Sequence, residues 1–268
     1  MTAPERWRPS WWRRAGTLVL WVALQGVFLL LPPLLGLIVN IGLAVGFVWW
    51  FAVRGGPSAR HRRSVFRLRA IPPAVAQRLP FVAVPLVSLV ATSLVVVPRV
   101  IPFPPPRVDP LEAYLRRPGA IATILVLVSV VAPLLEEFLF RGWIQRSLER
   151  RLPAAQAIGI TALAFAAAHG ELFGLPIRLV FGLVAGYAAW STRSIWPGVI
   201  LHGLYNGALI GLGSATPGVD EKMLTRWAHT PDVFWPVVAV FLVSALLLVA
   251  ALGWMAAAVP NASRHTST

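Results

Sequence analysis

Val130 to Gly142 reads V-V-A-P-L-L-E-E-F-L-F-R-G. Two adjacent carboxylates, Glu136 and Glu137, sit inside a run with the composition of a lipid-buried helix, and Ile121 to Leu135 carries no charge at all. An ionised carboxylate at the centre of a membrane helix costs about 2.5–3.5 kcal/mol on insertion scales. Two in succession therefore require either a structural ion pair or chemistry.

The rest of the chain supplies the setting. It has 268 residues, of which 57% are hydrophobic and 13% charged, with mean hydropathy +0.71. Soluble domains carry roughly 25% charged residues, so composition alone makes this an integral membrane protein. The expected fold is an all-α, polytopic membrane bundle. There is no cysteine, which excludes a disulfide framework, a thiolate metal site and a cysteine nucleophile. The formal charge of +14 does not point to nucleic acid, because the arginines fall between apolar runs, as positive-inside signals do. Lys222 is the sole lysine, a bias that points to a GC-rich, bacterial genome; the expected location is a bacterial inner (cytoplasmic) membrane.

About eight spans are expected at ~20 residues each. Residues 16–31 and 34–53 form two, divided at Pro32-Pro33. Phe81–Pro98 is the third, after a basic loop from Arg54 to Arg69. A proline-rich connection follows, and the fourth span starts near Gly119 and passes through the twin glutamates. Pro153 to about His169 is the fifth, about 175–191 the sixth and about 195–213 the seventh. Ser214 to Asp232 is a mixed-charge external loop, and Pro236 to Val259 the last span. With both termini inside, seventeen of the 24 basic residues lie on the inner side and seven on the outer, which supports an N-in, C-in topology. The chain divides into residues 1–118, helices and loops without assigned function; 119–213, the chemically interesting core; and 214–268, the external loop, last span and tail.

Candidate chemistry rests on few residues. His169 and His202 lie in apolar stretches, and intramembrane polar groups face one another or a wet cavity. Glu136 lies about as far before the turn near residue 152 as His169 lies after it, so the two share a height on antiparallel helices. Asn206 follows His202 at i+4, on the same helix face. Glu137 and Arg141 stand at i,i+4 in the favourable order and should pair, leaving Glu136, about 100° away, for the cavity. Glu136 can then act as a base toward water, with His169 sharing that water or relaying its proton. His202 and Asn206 can donate to a carbonyl oxygen as it becomes an oxyanion. The reaction class is peptide hydrolysis by glutamate-activated water. Gly198, at i−4 from His202, leaves room beside it, and Gly203, Gly207 and Gly211 form a stripe for close helix approach. The competing chemistry is a zinc site with Glu136, His169 and His202 as ligands. No H-E-x-x-H helix is present, and a metal-free site is ranked above zinc. Outside enzymology, the alternatives are a non-catalytic binding or immunity protein and a proton-relay transporter, the latter lowered by the lack of an internal repeat.

Taken together, Glu136-Glu137-x-x-x-Arg141, Phe165-x-x-x-His169 and His202-x-x-x-Asn206, with the lead-in from Ser191 through Trp196-Pro197, resemble the CAAX-processing and bacteriocin-processing (CPBP, or Abi) family of intramembrane proteases. The resemblance covers about residues 119–213. It implies a multi-helix membrane endopeptidase with its cavity open to the inner side. On the family's pattern Glu136 and His169 activate water and His202 and Asn206 form the oxyanion site, while Glu137, Arg141 and Phe165 match supporting positions. Eukaryotic members trim prenylated proteins, and bacterial members resemble bacteriocin-maturation, self-immunity or sorting proteases. The implied partners are the bilayer and a membrane-anchored protein or peptide, lipid-modified or not. Neither metal dependence nor oligomeric state follows from the motifs.

Overall fold

A computed structural model of the chain describes residues 66–103, 118–216 and 218–259, together with isolated positions between 31 and 46. The two spans expected over 16–53 lie essentially outside the described residues. Every regular element among the described residues is helical.

Helix α1 (Leu79–Val96) buries Leu79, Val82, Leu86, Leu89, Val90 and Ser93, the three- and four-residue spacing of a single helix face. Helix α2 (Ala120–Leu148) is the long central element. It starts after Gly119, whose φ of +76° suits a residue without a Cβ. Helices α3 (Ala154–Ala167) and α4 (Leu175–Thr192) follow as an antiparallel pair, then α5 (Trp196–Ala215), α6 (Glu221–His229) and α7 (Pro231–Ala257). Four helical segments, Pro73–Arg99, α2, α4 and α7, are long and apolar enough to cross a membrane, and α3 is a shorter apolar helix.

Small residues and polar pins set the packing. A Cβ on Gly182 would come 2.9 Å from the Ala162 Cα, and one on Gly186 would come 2.9 Å from Ile158 Cγ2. These two glycines, one turn apart, let α4 lie directly on α3. Helix α1 packs on α7, with the hydroxyls of Ser88 and Ser244 2.8 Å apart. Arg78 caps the far end of that pair. Its guanidinium donates to the Trp254 carbonyl and lies 4.5 Å over the Trp254 ring. The core continues through Phe66, Phe138, Phe140, Phe165 and Phe181, all buried.

Two boundaries differ from the sequence expectation. The segment expected as a loop over 214–232 contains α6, because Asp220 caps it by accepting from the Met223 amide at 2.7 Å, and N-caps of this type are worth about 1 kcal/mol. The last helix begins at Pro231, where a missing N–H has no intrahelical role, and carries Pro236 inside it.

Candidate active site

The site grows out of an irregularity in α2. Wider, i→i+5 turns run through Leu127–Val131 and Phe138–Gln145, on either side of the α-helical Ala132–Glu137. Such turns are rare and concentrate at functional sites. Pro133 gives the first a physical cause. The Ala132 amide bonds to the Leu127 carbonyl in the wide register. The next amide in that register would be residue 133, which has none, so the Val128 carbonyl loses its helical partner. Asn206 of α5 supplies the missing donor, with its Nδ2 2.7 Å from the Val128 oxygen. The same break brings α5 close, since a Cβ on Gly203 would overlap the Ser129 carbonyl.

The two glutamates occupy different surroundings. Glu137 is fully buried, and so is Arg141. Arg141 Nη1 donates to Glu137 Oε1 at 2.8 Å, and its Nη2 donates to the Gly182 carbonyl at 3.2 Å. The guanidinium also lies 4.5 Å over the Phe165 ring, a cation–π contact strengthened by desolvation. The pair expected from the i,i+4 spacing is therefore present, and it is buried in the core of the bundle. Its burial follows from the helices that close over it: α4 supplies the carbonyl and the Phe165 ring of α3 covers the charge. Glu136 keeps a 7% side-chain exposure, with its Oε2 lying 3.7 Å from His202 Nε2 and holding no hydrogen bond.

His202 stands between the two carboxylates, with its Nδ1 3.1 Å from Glu137 Oε1. An ionised carboxylate only accepts, so Nδ1 carries the proton and Nε2 is turned toward Glu136. The ring is gripped by Phe181 at 4.5 Å, Phe165 at 5.6 Å and Tyr205 at 6.2 Å between centroids. His169 follows α3 rather than ending it, and is exposed. Its Nδ1 lies 2.9 Å from the Phe165 carbonyl, which also only accepts. Both histidines are thus held with Nδ1–H engaged and Nε2 available. Phe165 links them, its ring touching each.

Glu136, Glu137, Arg141, Phe165 and His202 are brought together. His169 joins them through Phe165, at an exposed edge. Asn206 lies at the kink of α2, with its amide engaged on Val128. Gly198 gives its space to Glu137, as a Cβ there would fall 2.6 Å from Glu137 Oε2. Among the described residues, no three His, Asp or Glu side chains group so that they could hold a metal ion. The arrangement does not fit the three-ligand zinc site weighed from the sequence.

Sequence reasoning passed over a stripe continuous with the site. Residues Glu137, Arg141, Gln145 and Glu149 follow at intervals of four along α2. Gln145 Nε2 donates to the Gly186 carbonyl at 2.9 Å and to Glu149 Oε1 at 2.9 Å. Arg141 and Gln145 thus pin two carbonyls of α4, one turn apart, on the helix face where its glycines leave the backbone bare. The spacing of four was readable as a signal.

A family model described as type II CAAX prenyl endopeptidase, Rce1-like, matches residues 118–208, the segment that carries every residue just described. The membrane-embedded CAAX protease MroQ of Staphylococcus aureus (strain USA300) is similar over 123 residues at 27% identity, covering 43% of this chain and 49% of that protein. The chain spans about half the length of this curated relative. No solved structure matches.

Proposed function

We propose that this chain, whose residues 118–208 match the type II CAAX prenyl endopeptidase, Rce1-like, family model, is an intramembrane endopeptidase in which Glu136 activates water to cleave a membrane-associated protein or peptide. The observation that carries the reading is the division of labour between adjacent carboxylates. Each glutamate keeps one buried oxygen without a partner, but Glu137 is held through its other oxygen by Arg141 and His202 and has no exposed side-chain surface, whereas Glu136 only faces His202 Nε2 at 3.7 Å and keeps a remnant of exposure.

In this reaction Glu136 takes a proton from water as the water oxygen attacks the scissile carbonyl carbon. The carbonyl π electrons move to oxygen, giving a tetrahedral oxyanion. His202, held by Glu137, presents Nε2 on the side of Glu136. In its protonated form it donates to that oxyanion, a contribution of about 2.7–4 kcal/mol for one such donor. Collapse of the intermediate breaks the C–N bond, and the proton held by Glu136 passes to the leaving nitrogen. His169, with Nε2 free to accept, orients the incoming water from the exposed edge. Asn206 acts first through the backbone: by satisfying Val128 it holds the kink that sets the direction of Glu136. Its remaining N–H is the second candidate donor to the oxyanion.

The substrate is membrane-associated, and the enzyme works in the bacterial inner membrane without a metal. The test is cleavage of quenched, membrane-anchored peptides by purified protein in bilayers. Glu136→Gln should lose cleavage while remaining as stable as the parent, and a strong chelator should leave the parent's rate unchanged. Persistent cleavage by Glu136→Gln would reject the mechanism.

A further inference from the structure

The stripe that starts at His202 and Glu137 ends, at Glu149, in a cluster of arginines that the proposed chemistry does not use. Arg67 donates to Glu149, although only 1% of its surface is exposed. Its Nε and Nη1 are buried without hydrogen-bond partners among the described residues. Arg146 Nη1 lies 3.7 Å from the same carboxylate. Arg193 lies within electrostatic reach of Glu149 and Arg146, and Arg69 within reach of Arg193. Three guanidiniums thus converge on one carboxylate, with a fourth beside them.

The backbone is built to hold them there. Arg67 and Arg193 have φ of +56° and +55°, and they are the non-glycine residues with positive φ among the described residues. Unbranched side chains in this region are uncommon, and such conformations cost of order 1–3 kcal/mol. Both are fixed by contacts between segments distant in sequence. The Ile195 amide donates to the Arg67 carbonyl at 3.0 Å, and the Ser194 hydroxyl donates to the Arg69 carbonyl at 2.7 Å. The segment before α1 is thereby tied to the α4–α5 turn, and the end of α2 closes the third side.

The cluster carries an electrostatic cost. Burial lowers the Arg67 guanidinium to about 10, and Arg146 and Arg193 push the same way against the pairing with Glu149. Arg193 is lowered as well, by burial first and by Arg146 second. A simple positive-inside signal needs charge near the surface. It does not need a buried arginine with two idle nitrogens, or strained backbone under two of the four.

We propose that Arg67, Arg69, Arg146 and Arg193 form a binding site for a phosphate group, that of an anionic phospholipid headgroup at the inner face of the membrane. Guanidinium forks match phosphate oxygens in geometry and charge. The cluster lies at the end of the bundle where α2 and α4 finish and α1, α3 and α5 begin, the end that the arginine distribution assigns to the cytoplasm. Anionic lipids concentrate on that side. The site is independent of the proteolytic reading, since none of its arginines takes part in the chemistry.

The test uses the full-length protein in zwitterionic micelles. Titrations with short-chain phosphatidylglycerol, short-chain phosphatidylcholine and inorganic phosphate are followed by thermal unfolding and by native mass spectrometry. Phosphatidylglycerol should bind and raise the unfolding temperature, and phosphatidylcholine should not. The double variant R146Q/R193Q should weaken phosphatidylglycerol binding by at least about 25-fold, from about fivefold per charge at a membrane surface taken as the minimum. The control pair R150Q/R151Q removes two neighbouring charges outside the cluster and should change it by less than about fivefold. Equal losses in the two pairs would mean diffuse attraction and would overturn the proposal. Equal binding of phosphatidylcholine would do the same. Inorganic phosphate binding as tightly as the lipid, with the same arginine dependence, would keep the phosphate site and overturn the lipid as its source.

Discussion

Removing Arg141 alone should damage this protein more than removing Arg141 and Glu137 together. Both side chains are fully buried, and their 2.8 Å contact has no solvent to replace it. Arg141→Leu leaves Glu137 charged in the core with only His202 beside it. Breaking a buried pair from one side costs about 3–5 kcal/mol, and the Gly182 carbonyl loses a donor worth about 1 kcal/mol more. Against a total stability of about 5–15 kcal/mol, this variant is close to unfolding. Glu137→Leu strands the guanidinium and should cost a similar 3–5 kcal/mol. The double variant removes both charges, so what remains is the lost side-chain donor to the Gly182 carbonyl, about 1 kcal/mol, and the freed His202 Nδ1, about 1–3 kcal/mol. The coupling energy should therefore be at least about 3 kcal/mol, far above the ~0.5 kcal/mol within which independent sites add. Reversible unfolding of the micellar protein in increasing SDS measures it. If the singles are too unstable to purify, the same contrast is read as membrane accumulation, with the double variant exceeding either single. The double variant should be proteolytically inactive, because His202 has lost the carboxylate that orients it. Additive losses would refute the claim that burial, rather than simple adjacency, governs this pair.

Other consequences are as specific. Asn206→Ala should cost about 1–3 kcal/mol by leaving the Val128 carbonyl unsatisfied, and adding Pro133→Ala should return part of that loss by restoring a backbone donor. Thermal unfolding of both variants checks the pair, and no rescue by Pro133→Ala would contradict the origin given for the kink. Gly198→Ala should displace Glu137, because the new Cβ falls 2.6 Å from Oε2. It should lower both cleavage and stability, the latter by about 1–3 kcal/mol, while Gly211→Ala, with nothing within 4 Å among the described residues, should be silent in both assays. Gln145→Leu breaks the stripe at its middle and removes its side-chain donor to the Gly186 carbonyl. A loss of about 0.5–1.5 kcal/mol is expected by the same measurement, with catalysis less affected than stability.

Several of these features were legible in the sequence because they rest on local spacing. The Glu137–Arg141 pair follows from i,i+4 geometry, and the membrane class follows from composition. The depth of that pair was not legible, because burial depends on Phe165 and Gly182, which come from other helices. The kink was half legible: Pro133 announces a missing donor, but nothing local says that Asn206, on another helix, fills it. Of the small-residue stripe, Gly203 and Gly207 meet Ser129, whereas Gly211 meets nothing within 4 Å among the described residues. His169 was expected at the end of a span, yet α3 stops at Ala167 and the histidine caps back onto Phe165. The arginine cluster was visible only as scattered positive charge, since the backbone bonds that gather it join residues 67 and 69 to 194 and 195.

The central claim is that adjacent glutamates do different work, and cleavage by the two glutamine variants tests it most directly. Wild type, Glu136→Gln and Glu137→Gln should be compared on one membrane-anchored peptide, each with and without chelator. The account predicts no cleavage by Glu136→Gln at unchanged stability, reduced but measurable cleavage by a less stable Glu137→Gln, and no effect of chelator. Full activity in Glu136→Gln, or activity that vanishes with chelator and returns with zinc, would contradict it.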